Sequence, residues 1–166
     1  GGDCVYRWGN PQNYGAPGPR KLFNQHCAEW VVAGYPGAGN ITIFNNGVNR
    51  PGGSYSTIDE ILPPTSAPGD YILNPGSSYG PTINEWTYTA SNPADFYGSF
   101  LGGVRRISNG NTIICNGPAG YFFEVNPAGD TVWEYRNPIN SGAAPPIQGS
   151  PQLNGSRAFR CDRYPP

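Results

Sequence analysis

The chain contains one histidine, His26, so any proton chemistry near neutral pH that rests on an imidazole must use that residue. Arg50 follows in the next polar segment, and its guanidinium offers a planar fork of donors that suits sulfate or phosphate oxygens. His26 and Arg50 are the catalytic candidates. Asn45, Asn46 and Asn92 are the amides expected beside them as substrate-binding groups.

Other residues with chemical potential fare differently. Cys4, Cys27, Cys115 and Cys161 are widely separated and form no C-x-x-C pair, which argues against zinc and leaves buried thiols or disulfides of unknown pairing. Asn40-Ile41-Thr42 and Asn154-Gly155-Ser156 fit the acceptor pattern for N-glycosylation. Gly76-Ser77-Ser78-Tyr79-Gly80 fits G-x-S-x-G, but it has no strand-turn-helix context and the histidine lies upstream of it, so a serine hydrolase is not supported. The sole lysine, Lys21, belongs to no phosphate-binding loop, and neither calcium-hand spacing nor a second histidine is present. No metal and no cofactor are expected.

The elements that must position His26 and Arg50 are read from repetition. Trp8-Gly9-Asn10-Pro11, Trp86-Thr87-Tyr88 closing at Asn92-Pro93, and Trp133-Glu134-Tyr135 closing at Asn137-Pro138 repeat one signature. The last two Asn-Pro closures lie 45 residues apart, the size of one four-stranded propeller blade. Gly39 to Gly47 and Gly110 to Gly117 form a second recurring motif.

Alternation and turn residues then predict strands at Glu29 to Val32, Ile41 to Phe44, Thr57 to Ile61 and Trp86 to Thr89, and again at Val104 to Ile107, Thr112 to Cys115, Tyr121 to Val125 and Thr131 to Tyr135. The expected fold is therefore all-β, a β-propeller of four-stranded antiparallel blades, with about two full blades and two partial ones over residues 1–166. Residues 1–11 supply the last strand of one blade, through Val5 to Trp8. Residues 22–93 form the second blade, with a Pro/Gly/Ser-rich insertion at about 63–83. Residues 99–138 form the third, and 157–164 a closing or next-blade strand. In such a meander the start of strand one and the ends of strands two and four share one end, which places His26, Asn45 to Arg50 and Asn92 on one rim.

Composition agrees. Gly (24) and Pro (19) are abundant enough to suggest low complexity, but four Trp, eleven Tyr and seven Phe argue for a packed β domain punctuated by tight turns. A net charge of −1, with nine arginines spread along the chain, makes nucleic acid and anionic membranes poor partners. No apolar run is long enough for a membrane span. Two isolated blades leave faces uncovered, so further blades are expected from the same polypeptide, another chain or self-assembly. The Lys-poor, Asn/Tyr/Gly-rich composition leans toward a secreted, periplasmic or extracellular location.

Several of these stretches together carry a resemblance: Tyr6 to Pro11, Leu22-Phe23-Asn24-Gln25-His26, Pro36 to Gly47, Asn109 to Cys115, Phe123-Glu124-Val125 and Val132 to Tyr135. They resemble the arylsulfotransferase family of secreted six-bladed β-propellers, over nearly the whole chain and in the C-terminal portion of that family. The resemblance implies sulfuryl transfer between phenols without a nucleotide donor, with His26 assisting proton transfer or charge stabilisation and Arg50 clamping the sulfuryl oxygens. Enzymes of the family use several histidines, and this chain has Gly102 where the next blade would carry one. Either other blades supply the nucleophile, or the chain is a noncatalytic extracellular propeller that serves as scaffold, self-assembling subunit or glycan-binding module.

Overall fold

A computed structural model describes residues 3–139, 147, 149 and 156–164. Among the described residues ten strands run along the chain: β1 (His26–Trp30), β2 (Ile41–Asn45), β3 (Thr57–Ile61), β4 (Thr65–Ala67), β5 (Asp70–Tyr71), β6 (Trp86–Tyr88), β7 (Gly103–Arg106), β8 (Thr112–Asn116), β9 (Tyr121–Val125) and β10 (Thr131–Arg136). They form two four-stranded antiparallel sheets in simple meander order, β1-β2-β3-β6 and β7-β8-β9-β10, and β4 and β5 pair as a separate hairpin. The all-β class and the eight-strand pattern read from alternation are thus present. The β4–β5 hairpin lies inside the 63–83 insertion and carried no period that could announce it.

The sheets pack face to face because alternate residues on β2, β3, β8 and β9 are apolar and point into the space between them. Phe44 and Ile58 of the first sheet meet Val104, Ile114, Phe123 and Val125 of the second. Phe96, on the link between the sheets, wedges edge-on against both Phe44 and Phe123, each with ring centroids 5.6 Å apart. β1 and β7, the first strand of each sheet, are in contact.

β3 is buried at all five positions, including two adjacent carboxylates that alternation sends to opposite faces. Glu60 points toward the second sheet and pairs with buried Arg106. Asp59 points to the other face, where Leu22, Ile43 and Ile61 form a smaller apolar cluster under Tyr6 and Trp8.

Val5 to Trp8 and Arg157 to Tyr164, both expected as strands, make no ladder among the described residues. Each lies across the outer face of a sheet, held largely by side chains, with a backbone bond from Ala158 N to Gly117 O (3.0 Å) in the second. Tyr6 donates its hydroxyl to Gly80 O (2.7 Å) and Trp8 its indole N–H to Pro81 O (2.9 Å). A strand needs a neighbouring backbone in register, and neither segment pairs with one among the described residues.

Candidate functional site

His26 opens β1, and the backbone there is unusual. Register runs from His26↔Phe44 to Ala28↔Ile43, so Cys27 is an extra, bulged residue, with φ of 47°. Three other non-glycine residues have left-handed φ: Asn24 (55°), Asn49 (58°) and Leu101 (57°). Asparagine tolerates this region, whereas leucine and cysteine adopt it at a cost of about 1–2 kcal/mol. All four stand at the end of the molecule where β1 starts and β2 ends, and such clustering of backbone strain is characteristic of functional sites.

The carbonyl of strained Asn24 and the side-chain amide of Asn46 hold the imidazole. His26 Nδ1 lies 2.7 Å from Asn46 Oδ1 and 3.2 Å from Asn24 O. Asn46 is completely buried, and its Nδ2 donates to Gly98 O (2.6 Å) and Leu101 O (2.8 Å). Two carbonyl acceptors fix which end of that amide is nitrogen, so the atom facing His26 is an oxygen. Both neighbours of Nδ1 are therefore acceptors, and Nδ1 must carry the proton. In the neutral ring this leaves the lone pair on Nε2, which has no hydrogen-bond partner among the described residues. The side chain is half-buried. An imidazole held this way can accept a proton or attack an electrophile through Nε2.

Arg50 belongs to the same end of the sheet but to the other side of β2. Its Nη2 donates to Thr57 Oγ1 (3.1 Å), and the guanidinium lies 4.4 Å from the Tyr55 ring centroid and 5.8 Å from that of Phe23. Its buried Nε has no partner among the described residues. Arg50 lines an open cleft of about 970 Å³ with Trp8, Phe23, Tyr55, Asp59 and Asn84, and His26 is not part of that lining. The structure brings His26 together with Asn46, and Arg50 together with Asp59, in two adjoining environments.

The candidate amides are committed to the protein itself. Asn45 is buried; its Oδ1 accepts from Phe23 N (2.9 Å) and its Nδ2 donates to Lys21 O (2.9 Å) and Asp59 Oδ2 (2.9 Å). Asn92 is exposed and donates to Asp95 Oδ1 (3.0 Å) at the 3-10 turn Pro93–Asp95. Asp59, which nothing in its spacing marked, collects Asn45, Thr57, Asn84 and Thr87 as donors. Burial nonetheless pushes its carboxyl above the usual range, against the pull of Asn45, Thr57 and Arg50.

Gly102 has φ of 119°, and a Cβ there would approach the Phe44 ring to 2.7 Å. A second histidine could not occupy this position on the second sheet without displacing the core. The four cysteines are free thiols. Asn40 Nδ2, the atom a glycan would take, donates to Glu60 Oε1 at 2.7 Å; Asn154 lies outside the described residues. No helix among the described residues is long and apolar enough to cross a membrane, and they contain no group of three or more His, Cys, Asp or Glu side chains that could hold a metal. No family model, curated protein or solved structure matches this chain.

Proposed function

We propose that this chain is part of a β-propeller of the arylsulfotransferase kind, with its two four-stranded sheets as successive blades and His26 serving sulfuryl transfer between phenols. β1 and β7 are the innermost strands, which fits their contact. The observation that carries the reading is the polarity of the His26 ring: Nδ1 is tied to Asn46 and Asn24, and Nε2 is left with its lone pair.

In the transfer the family's covalent histidine, on a further blade, first takes the sulfuryl group as the sulfur–oxygen bond to the donor phenolate breaks; Nε2 of His26 then takes the proton from the accepting phenol as its oxygen bonds to sulfur and the sulfur–nitrogen bond to that histidine breaks. Charge grows on the sulfuryl oxygens and the leaving oxygen, where fixed donors lower the barrier most. Arg50, whose Nη1 is unengaged among the described residues, is the cation the resemblance assigns to the sulfuryl oxygens. The covalent histidine of the family, together with the remaining wall of the site, belongs to further blades.

The test is release of 4-nitrophenolate from 4-nitrophenyl sulfate in the presence of a phenol, using the intact natural polypeptide. Turnover is expected in the parent and a fall of about 10²- to 10⁴-fold in His26→Ala, with Arg50→Ala raising KM for the sulfate ester. Unchanged turnover in His26→Ala would overturn the assignment. A second reading, a noncatalytic assembling propeller, draws on β10, which is exposed at all six positions and displays Trp133 and Tyr135. Complete inactivity of the intact parent protein toward aryl sulfates would favour it.

A further inference from the structure

We propose that Cys115 and Cys161 are the site of an intramolecular disulfide that fastens segment 157–164 across the outer face of the second sheet. Cys115 sits on β8 and points away from the inter-sheet core, on the face opposite Ile114. That face would be open on this side, yet Cys115 is completely buried. What covers it is the C-terminal segment.

The segment is docked on both sides of Cys161. Ala158 N donates to Gly117 O at 3.0 Å, and Ala158 O lies 3.9 Å from Cys115 Sγ. Beyond Cys161, Asp162 pairs with Arg105 at 2.6 Å, and Arg163 pairs with buried Glu124. Gly103 makes room for the approach. A Cβ at that position would stand 3.2 Å from Arg160 Cβ and 3.6 Å from Cys115 Cβ, so no side chain separates β8 from the segment there. The two thiols are close enough for each to shift the other's ionisation.

The other cysteines are placed differently. Cys27 Sγ accepts from Val104 N (3.4 Å) and donates to Val104 O (3.6 Å), bridging β1 to β7, and burial raises its pKa. Cys4 is exposed at the opposite end of the chain and donates to Tyr6 O.

Interaction with Cys115 lowers the Cys161 thiol, and the same interaction together with burial raises Cys115. Cys161, half-buried and within reach of Arg105, is therefore the thiolate that reacts first. The oxidant required is a small disulfide such as oxidised glutathione. Cys161 sulfur attacks it, forming a mixed disulfide and releasing one glutathione thiolate. Cys115 then attacks the Cys161 sulfur, its proton passing to the departing sulfur as the second glutathione leaves as a thiol. Two protein thiols are oxidised and one glutathione disulfide is reduced to two thiols.

The experiment treats the folded chain with oxidised glutathione, blocks remaining thiols by alkylation, and maps peptides without reduction. The expected result is a mass lower by two hydrogens, a peptide linking Cys115 to Cys161, and alkylated Cys4 and Cys27. Cys115→Ser is expected to retain one glutathionyl group on Cys161, and Cys161→Ser to keep its three remaining thiols alkylated. Trypsin should cut after Arg157 and Arg160 more slowly in the oxidised parent than in Cys161→Ser. Linkage of Cys161 to Cys4 or Cys27, or four alkylated thiols after the same treatment, would overturn the proposal.

Discussion

At the scale of single residues, the site rests on a buried amide. Asn46 makes no use of solvent: one end receives the His26 ring and the other is divided between two backbone carbonyls. Asn46→Ala is expected to leave Leu101 O without its donor and Gly98 O with only the long bond from Ser56 Oγ (3.5 Å), and to destabilise the fold by about 1–3 kcal/mol, as a buried polar group without a partner does. It should also lower any activity that depends on His26. Chemical denaturation and turnover together separate the two effects, because Asn46→Asp retains the acceptor for His26 and should lose stability while keeping the ring's orientation.

Asp59 gives a pH signature. Its carboxyl is raised by burial in the folded state, so the folded chain holds its proton more tightly than the unfolded chain does. The stabilisation is fully present below the unfolded value of about 4 and declines as pH rises through the raised folded value. Urea midpoints measured across this window should fall with pH in the parent, and the part due to Asp59 should disappear in Asp59→Asn.

At the scale of elements, the inter-sheet contact combines apolar burial with one internal ion pair. Phe44→Ala is expected to cost about 3–5 kcal/mol, because it empties the centre of the packing between sheets. Glu60→Ala is expected to cost a similar amount, about 3–5 kcal/mol, by stranding the buried Arg106. Thermal unfolding checks both. Gly47, at the turn after β2, has φ of 76°, and a Cβ there would fall inside contact with the Tyr55 carbonyl oxygen, so Gly47→Ala should disturb the Arg50 loop directly.

These strands were legible because their alternation is strong. Ile41 to Phe44 and Tyr121 to Val125 read directly as half-buried strands, and the repeated Trp-x-Tyr signature marked β6 and β10. The start of β1 was harder. The strand begins at His26 instead of Glu29, since a bulge at Cys27 inserts a residue that breaks the period. Val5 to Trp8 carries the same alphabet as a strand, but pairing depends on a neighbour that local sequence cannot supply. His26 was recognisable as the only imidazole, and Arg50 as a cation at the same end. That they engage opposite sides of β2 followed from Asn45 and Asn46 pointing to alternate faces, each with buried partners distant in sequence.

At the scale of the whole molecule, two meander sheets lie face to face with their first strands in contact, and each outer face is partly covered by a chain segment held by side chains. The proposed reading adds further sheets around these two, with the His26 end turned toward a shared axis. Everything proposed about chemistry then converges on the state of one ring. Because the chain has a single histidine, one pair of imidazole nitrogens reports on it without interference. Long-range proton–nitrogen correlation on the folded, nitrogen-15-labelled chain, at a pH where the ring is neutral, is the most direct test. The expected spectrum has the proton on Nδ1 and a bare Nε2. A proton on Nε2, or two nitrogens averaged by rapid exchange between tautomers, would contradict it.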